Sequence, residues 1–203
     1  MYKTDFTQRI VNAKLAPYLF GAFGWVLAWK LQLLLQQILP GLDYATGVAL
    51  VFLPAGMRTL AVLIFGLRGA VGIFFGCMYS TIDYMGHLPA IDTSITLIIC
   101  SISAFSAYLM MQLVCWWQKI GAELDELKFS DVLLIVLSQG LLSATLHQFV
   151  FTHAHIDHAY ANPSQMEAFM LWAGMATGDI VGSMLFMLGG IALVNLFQSL
   201  RQH

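Results

Sequence analysis

Three histidines and an aspartate lie within one short stretch, FTHAHIDHAY at residues 151–160: His153, His155, Asp157 and His158. Imidazole nitrogens and carboxylate oxygens bind divalent zinc, and two histidines one helical turn apart form half of such a site. If the preceding helix continues through the stretch, His155 and His158 have that separation. The residues His153, His155 and His158 are therefore a candidate divalent-metal site. A solvated loop whose polar residues face water is the favoured interpretation, and a pH-sensitive histidine cluster is a further alternative.

The same string, His-x-His-x-Asp-His, resembles the metal-ligand run of metallo-β-lactamase-type hydrolases. That family places the run at the end of a strand in a soluble sandwich, and further His and Asp ligands follow well downstream. Here a long apolar segment precedes the run, and the one later histidine in the sequence is His203. Because the remainder of such a domain has no place in this sequence, we predict that the protein is not an enzyme and needs no cofactor.

Three ionisable residues fall inside long apolar stretches: Lys30, Arg58 and Asp179. Charged side chains are costly in hydrocarbon and mark functional sites there. At a rise of about 1.5 Å per residue, all three lie near the middle of a bilayer, so we expect one shared site. Asp179 neutralises one cation, for which Arg58 is the favoured partner. Lys30 then leaves a surplus positive charge that suits a small anionic ligand. A structural ion pair, with Lys30 reaching the membrane surface, is an equally supported alternative.

Pro54 and Gly56 precede Arg58 in the sequence FLPAGMRTLAVLIFG, residues 52–66. Proline removes a backbone donor and disfavours helical geometry at Leu53, so we expect the helix to kink or break there. A break places the free N–H groups of a half-helix one turn before Arg58, as in the substrate sites of transporters. Pro54 and Gly56 are therefore candidate ligand-binding residues together with Lys30, Arg58 and Asp179.

The elements that position these residues follow from the composition. Of the 203 residues, 59% are hydrophobic and 10% are charged, with a mean hydropathy of +0.77; soluble domains carry roughly 25% charged residues. The sequence predicts one all-α transmembrane domain over residues 1–203, a helical bundle in the lipid bilayer. About six spans are expected, at roughly 16–39, 45–66, 69–86, 90–117, 131–152 and 166–197. The net charge of -2 argues against nucleic-acid binding.

The distribution of Lys and Arg predicts the orientation of the bundle. The positive charges that flank the predicted spans all fall on one side: Lys3, Arg9, Lys14, Arg68, Lys119, Lys128 and Arg201. The loops on the other side contain neither Lys nor Arg: 40–44, 81–92 and 153–165. We therefore expect both termini in the cytoplasm, in a multi-pass protein of the bacterial inner (plasma) membrane.

Two rows of small residues at four-residue spacing predict close helix packing. The first is Gly72, Gly76 and Ser80 in the third span, and the second is Gly174, Gly178 and Gly182 in the sixth. Because Asp179 directly follows a glycine of the second row, we expect it to face protein and not lipid.

Two of these segments resemble the bacterial membrane-associated sensor domains of the MASE type. FLPAGMRTLAVLIFGLRGAVGIFFG, residues 52–76, is similar to the Pro-Ala-Gly helix and the glycine-rich helix after it, and WAGMATGDIVGSMLF, residues 172–186, to a later Trp…Gly-Asp-x-x-Gly motif. The matching residues are Pro54, Ala55, Gly56, Gly66, Gly76, Trp172, Gly178, Asp179 and Gly182.

The resemblance implies a sensory module of the inner membrane, in a family usually fused to a histidine kinase or a cyclic-di-GMP output domain. This sequence has fewer spans and ends at His203 without such a domain, so we expect it to act through a partner membrane protein. One alternative is a substrate-binding transport subunit, similar to those of energy-coupling-factor vitamin transporters. The other is an accessory or assembly subunit of a larger membrane complex.

Overall fold

Six α-helices account for most of the computed structural model, which describes residues 14–45, 47–85, 92–121, 124, 126–156, 160 and 162–200. They are α1 (Ala16–Ile38), α2 (Leu53–Phe65), α3 (Leu67–Met85), α4 (Thr93–Gln118), α5 (Phe129–Ala154) and α6 (Gln165–Leu200). A 3-10 turn, Pro40–Leu42, and two short strands, β1 (Asp43–Ala45) and β2 (Val48–Ala49), connect α1 to α2. The predicted all-α class is confirmed.

Four helices are long and apolar enough to cross a membrane: α1, α4, α5 and the Gln165–Gly190 part of α6. Their outward surfaces carry large apolar side chains, as along α1, where Leu19, Phe23, Leu27 and Leu34 are exposed. Hydrocarbon covers such a surface without a protein partner, which accords with a bilayer environment. The helix α2 has 13 residues and is too short to span alone, since about 20 are needed.

The second predicted span, 45–66, is helical only over Leu53–Phe65. Strands β1 and β2 pair antiparallel, with Asp43 opposite Ala49, and Val48 and Ala49 are buried. The chain then continues to Phe52, whose N–H donates to the Gly178 carbonyl of α6 at 2.9 Å. We call residues 48–52 the inserted segment. It ends where α2 begins, with Pro54 in the first helical turn, so the predicted break at Pro54 is confirmed.

The glycine rows serve two different kinds of packing. Gly72 and Gly76 of α3 lie against the backbone of α1 at Tyr18 and Ala22, as predicted for close helix packing. Gly178 and Gly182 of α6 instead face the inserted segment, where an added Cβ would collide with the carbonyls of Ala49 and Phe52. The expectation of helix–helix packing at this second row is therefore corrected: it accommodates an extended backbone.

The ends of the bundle differ in character. An open groove of ≈ 720 Å³ at one end brings the start of α1, the α2–α3 turn and the α4–α5 connection together, with Pro17, Arg68 and Gly121 in its lining. The turn between α2 and α3 is made by Gly66 at a φ of 55°, which L side chains rarely adopt. The strand hairpin and the ends of α3, α5 and the start of α6 form the opposite end.

Candidate functional site

Arg58 and Asp179 meet in the interior of the bundle. The Arg58 Nη2 atom lies 2.9 Å from the Asp179 Oδ2 atom, and the two side chains are 1% and 4% exposed. The pair predicted from the cost of isolated charges in hydrocarbon is therefore present. The second turn of α2 places Arg58 at this depth because the helix starts at Leu53, inside the bundle. Asp179 follows directly after Gly178, which contacts the inserted segment.

The second terminal nitrogen of the Arg58 guanidinium reaches two further helices. Arg58 Nη1 donates to the Ser103 carbonyl of α4 at 3.2 Å and to the Ser143 hydroxyl of α5 at 3.2 Å. Arg58 Nε has no hydrogen-bond partner within the part of the chain that the structure describes. One side chain of a short helix thus ties α4, α5 and α6 together at a single point.

His147 extends this polar network along α5. Its Nδ1 lies 2.9 Å from the Ser143 carbonyl oxygen, and its Nε2 lies 3.2 Å from the Ser103 hydroxyl. A neutral ring with the proton on Nδ1 donates to that carbonyl and accepts from Ser103, so both nitrogens are satisfied. Sequence reasoning had not placed His147 in the site. The available signal was the spacing of Gln139, Ser143 and His147, which lie four residues apart and therefore share one face of the helix.

A second polar cluster lies on the other side of the charged pair. Gln139 Nε2 donates to the hydroxyls of Thr59 and Ser183, each at 3.1 Å. In α1, Gln32 Oε1 accepts from the Leu53 N–H at 3.0 Å and so satisfies one free donor at the start of α2. None of these residues was a candidate from the sequence, because neutral polar side chains within the spans had not been considered.

A cavity of ≈ 80 Å³ lies beside the charged pair and is lined by all six helices and by the inserted segment. Gln36, Asp43 and Tyr84 line its outer part, at the end of the bundle opposite the groove. The Gln36 amide donates to the Asp43 carboxylate at 3.3 Å, and burial raises the pKa of Asp43. The mouth therefore combines a carboxyl group with an amide and a phenol.

One wall of the cavity is aromatic. Phe52 packs edge-on between Trp25 and Trp29, with ring centroids 6.2 and 6.0 Å apart, and Tyr84 packs edge-on against Trp29 at 5.2 Å. Phe52 belongs to the inserted segment, whereas the two tryptophans belong to α1. The wall thus joins the extended part of the broken span to the first helix.

Several polar atoms of this lining lack partners within the described part of the chain. Four buried nitrogen donors of lining side chains make no hydrogen bond: Trp25 Nε1, Trp29 Nε1, Gln32 Nε2 and Arg58 Nε. A buried donor without a partner costs about 1–3 kcal/mol, and buried polar groups are normally paired. All four side chains line the cavity beside the charged pair.

Lys30 does not belong to this site. Its side chain is 54% exposed, and its Nζ lies 3.4 Å from the Asp83 Oδ2 near the end of α3. The expectation of one site shared by Lys30, Arg58 and Asp179 is therefore corrected, and with it the surplus positive charge. The position of residue 30 along the helix axis did not predict where its charge lies, because the flexible lysine side chain extends toward the end of the bundle that carries the strand hairpin.

Pro54 and Gly56 have a positioning role. Neither lines the cavity. Pro54 starts α2, and an added Cβ on Gly56 would collide with Phe186 of α6, so the glycine lets α2 approach that helix closely. In the structure both residues set the depth and direction of Arg58.

The histidine run behaves as the end of a helix. The helix α5 ends at Ala154, and His155 follows in a left-handed conformation with a φ of 47°, so the helical spacing needed for a metal half-site stops there. His153 is exposed and bonds to the Phe149 carbonyl at 2.8 Å. His158 lies outside the described residues, and within them no three His, Cys, Asp or Glu side chains converge on a metal-binding geometry.

No family model, curated protein or solved structure matches this chain. The resemblance to membrane-associated sensor domains therefore depends on the two quoted segments. Each segment has a local role in the structure, since Pro54 to Gly56 start α2, and Gly178 and Gly182 accommodate the inserted segment. Trp172 bonds through its indole N–H to the Thr145 hydroxyl at 3.0 Å, joining α6 to α5.

Proposed function

We propose that this protein is a ligand-binding module of the inner membrane, of the sensory type, that acts on a partner membrane protein. The observation that carries the proposal is the cavity beside Arg58 and Asp179, which all six helices and the inserted segment line. A purely structural ion pair needs no cavity beside it. A concave site with a few convergent polar groups and an apolar wall favours the binding of a small molecule.

We further propose six membrane crossings, with both termini in the cytoplasm. The groove end of the bundle carries Arg68 and lies next to the connection between Lys119 and Lys128, whereas the loops at the cavity end lack Lys and Arg. The positive-inside rule then places the cavity mouth on the outer side. In this arrangement the inserted segment and α2 together form one discontinuous crossing, buried in protein as irregular backbone in a membrane must be.

A sensory role is supported by the way the cavity joins parts that are separate in the sequence. A molecule in the cavity touches α1 through Trp25 and Trp29, the inserted segment through Phe52, and α6 through Met175. Binding therefore changes the packing energy between the broken crossing and two long helices. Such a change reaches the cytoplasmic end through α2, where a partner protein reads it.

The second candidate is a substrate-binding subunit of a transporter. The observation that favours it is the discontinuous crossing itself, since transporters place substrate sites at such breaks. A transport subunit passes the ligand across the membrane, whereas a sensor releases the ligand on the side from which it entered. The two candidates share the site and differ in the fate of the ligand.

Filling the cavity tests the shared part of both candidates. We expect the dialysable small-molecule fraction of a cell extract to raise the melting temperature of the protein in lipid nanodiscs. Met175→Trp, which places an indole in the cavity lining, should abolish that rise. Met166→Trp is the matched control, because Met166 is exposed on the first turn of the same helix. A rise that survives in Met175→Trp would contradict the cavity as the ligand site.

Sealed vesicles separate the sensor from the transport subunit. Vesicles that contain the protein, either alone or with its cross-linked partner, are exposed to the cell-extract fraction that raises the melting temperature. Their contents are then analysed by mass spectrometry. A sensor leaves the lumen empty and is cross-linked to a kinase or a cyclase. Accumulation in the lumen that depends on a cross-linked ATPase would establish the transport role instead.

A further inference from the structure

We propose that Cys77 and Cys100 form a binding site for a soft monovalent metal ion, Cu(I), which is held between the sulfur atoms of two neighbouring helices. This inference goes beyond the proposed function, because it assigns a second site at the wall of the cavity. It is carried by three features: the meeting of the two thiols, the hydroxyl groups beside them, and the number and kind of ligands that they offer.

Two of the three cysteines in the sequence meet in the interior of the bundle. Cys77 of α3 is 3% exposed, and Cys100 of α4 is fully buried. The Cys100 thiol donates to the Thr81 hydroxyl at 3.6 Å, and the Cys77 sulfur lies 3.7 Å from the same oxygen. The two thiol groups also interact with each other. Two sulfur ligands from adjacent helices therefore lie at one point.

The neighbouring hydroxyl groups allow Cys77 to lose its proton when a metal ion binds. Because the Thr81 hydroxyl accepts from Cys100, its own hydrogen is available to the Cys77 sulfur. The Ser103 hydroxyl is a further partner of Cys77 and lies 3.2 Å from the Nε2 atom of His147. A proton released from the thiol thus has a hydrogen-bonded route to the imidazole. The thiolate that remains is the form of cysteine that binds metals.

The surroundings of the pair require a site without net charge. Cys77 and Cys100 belong to an apolar cluster that also contains Ala28, Ile73 and Ala104. An isolated charge is costly in such a low-dielectric interior. A monovalent cation bound by one thiolate and one thiol is neutral overall, and its binding releases a single proton. The interior therefore needs no further counter-ion.

The number of ligands distinguishes Cu(I) from zinc. Structural zinc sites use four ligands of the Cys, His, Asp or Glu type. No group of three such side chains converges within the part of the chain that the structure describes. Soft sulfur ligands select Cu(I), and this ion, with its filled d shell, is stable between two sulfur atoms alone. The pair of thiols therefore suits Cu(I) better than zinc.

The cavity gives a metal ion access to the pair. Cys77, Thr81 and Ser103 line the cavity, whereas Cys100 does not. A single ion is small enough for a cavity of ≈ 80 Å³. Protein disulfides and bulky thiol oxidants are too large to reach sulfur atoms that are buried in this way. The position of the pair thus favours the binding of an ion over thiol–disulfide exchange.

Competition with a coloured chelator tests the site. Full-length protein in nanodiscs is titrated without oxygen against the Cu(I) complex of bicinchoninate, whose absorbance falls as the protein takes the ion. We expect wild type to take about one ion per chain, because the two sulfur atoms form one site. Cys77→Ser and Cys100→Ser should each lose that ion. Cys115→Ser should keep it and is the matched control, because Cys115 is buried on α4 in a different apolar cluster.

X-ray absorption at the copper edge identifies the ligands in wild type and requires no variant. We expect a pair of sulfur ligands and no nitrogen or oxygen ligand. This spectrum decides the matter if a serine variant fails to fold. The proposal is overturned if wild type takes no Cu(I) from the chelator, if both serine variants fold and retain the ion, or if the spectrum shows nitrogen or oxygen ligands. Zinc that binds as tightly as Cu(I) would overturn it as well.

Discussion

The buried pair of Arg58 and Asp179 shows how strongly a low-dielectric interior couples two side chains. Removal of one partner leaves a charge that neither water nor another counter-ion reaches, whereas removal of both leaves only a packing defect. The pair was predictable from the sequence because charges inside apolar stretches need partners. His147 and Gln32 were not predicted, since neutral polar residues in a span carry a smaller cost and attract less attention. The missed signal was the helical spacing, since Ser143 lies four residues before His147 and Trp29 lies three residues before Gln32.

A mutant cycle tests the pair. We expect Arg58→Met and Asp179→Leu each to lower the free energy of unfolding by on the order of 3–5 kcal/mol, because each strands one buried charge. The double variant should be more stable than either single variant. The measurement is denaturation by SDS in mixed micelles, followed by the yield of folded protein. Strictly additive losses would contradict the coupling.

The exposed ion pair supplies the control for this cycle. Lys30→Met breaks a pair whose side chains are 54% and 57% exposed, so we expect a change of only about 0–1 kcal/mol. We also expect no change in ligand-dependent stabilisation, because Lys30 does not line the cavity. A large loss of either property would place Lys30 back in the functional site.

The broken second crossing is the element on which the site depends. Its break was predictable from Pro54, since proline fits only the first turn of a helix without loss of a hydrogen bond. The non-helical conformation of residues 48–52 was not predictable, because a short apolar run has the same pattern in a buried strand and a buried helix. The positions of Gly178 and Gly182 on α6 leave room for this conformation, because the carbonyls of Ala49 and Phe52 lie where side chains at those two positions would be.

Substitution of Gly182 tests the role of this contact. We expect Gly182→Ala to destabilise the protein by about 1–3 kcal/mol, the usual cost of an overpacked interior, because its Cβ would collide with the Phe52 carbonyl. Gly189→Ala is the matched control on the same helix, where nothing among the described residues lies near the added Cβ. There the change should be neutral or stabilising, since alanine favours the helix over glycine. Melting temperatures in nanodiscs measure both, and equal effects would contradict the contact.

At the scale of the whole molecule, the hydropathy pattern was sufficient for the helical class, and four of the predicted spans correspond to helices that are long and apolar enough to cross. The other two predicted spans correspond to α2 and α3, and the packing of these helices against the rest of the bundle cannot be predicted from hydropathy. The two ends of the bundle also differ in the residues that they carry. The groove end carries Arg68, and the cavity end carries Asp43 and the strand hairpin.

The orientation of this bundle is testable with two single cysteines. Tyr44 lies in β1 beside the cavity mouth and is 54% exposed, whereas Gly121 lies in the groove lining with open space around it. The native Cys77, Cys100 and Cys115 are buried and give a low background. In spheroplasts treated with a membrane-impermeant maleimide, we expect Tyr44→Cys to be labelled and Gly121→Cys to be labelled only after lysis. This follows because the positively charged end should remain in the cytoplasm. The reverse pattern would invert the orientation, and labelling of both in intact spheroplasts would contradict their placement at opposite ends of the membrane.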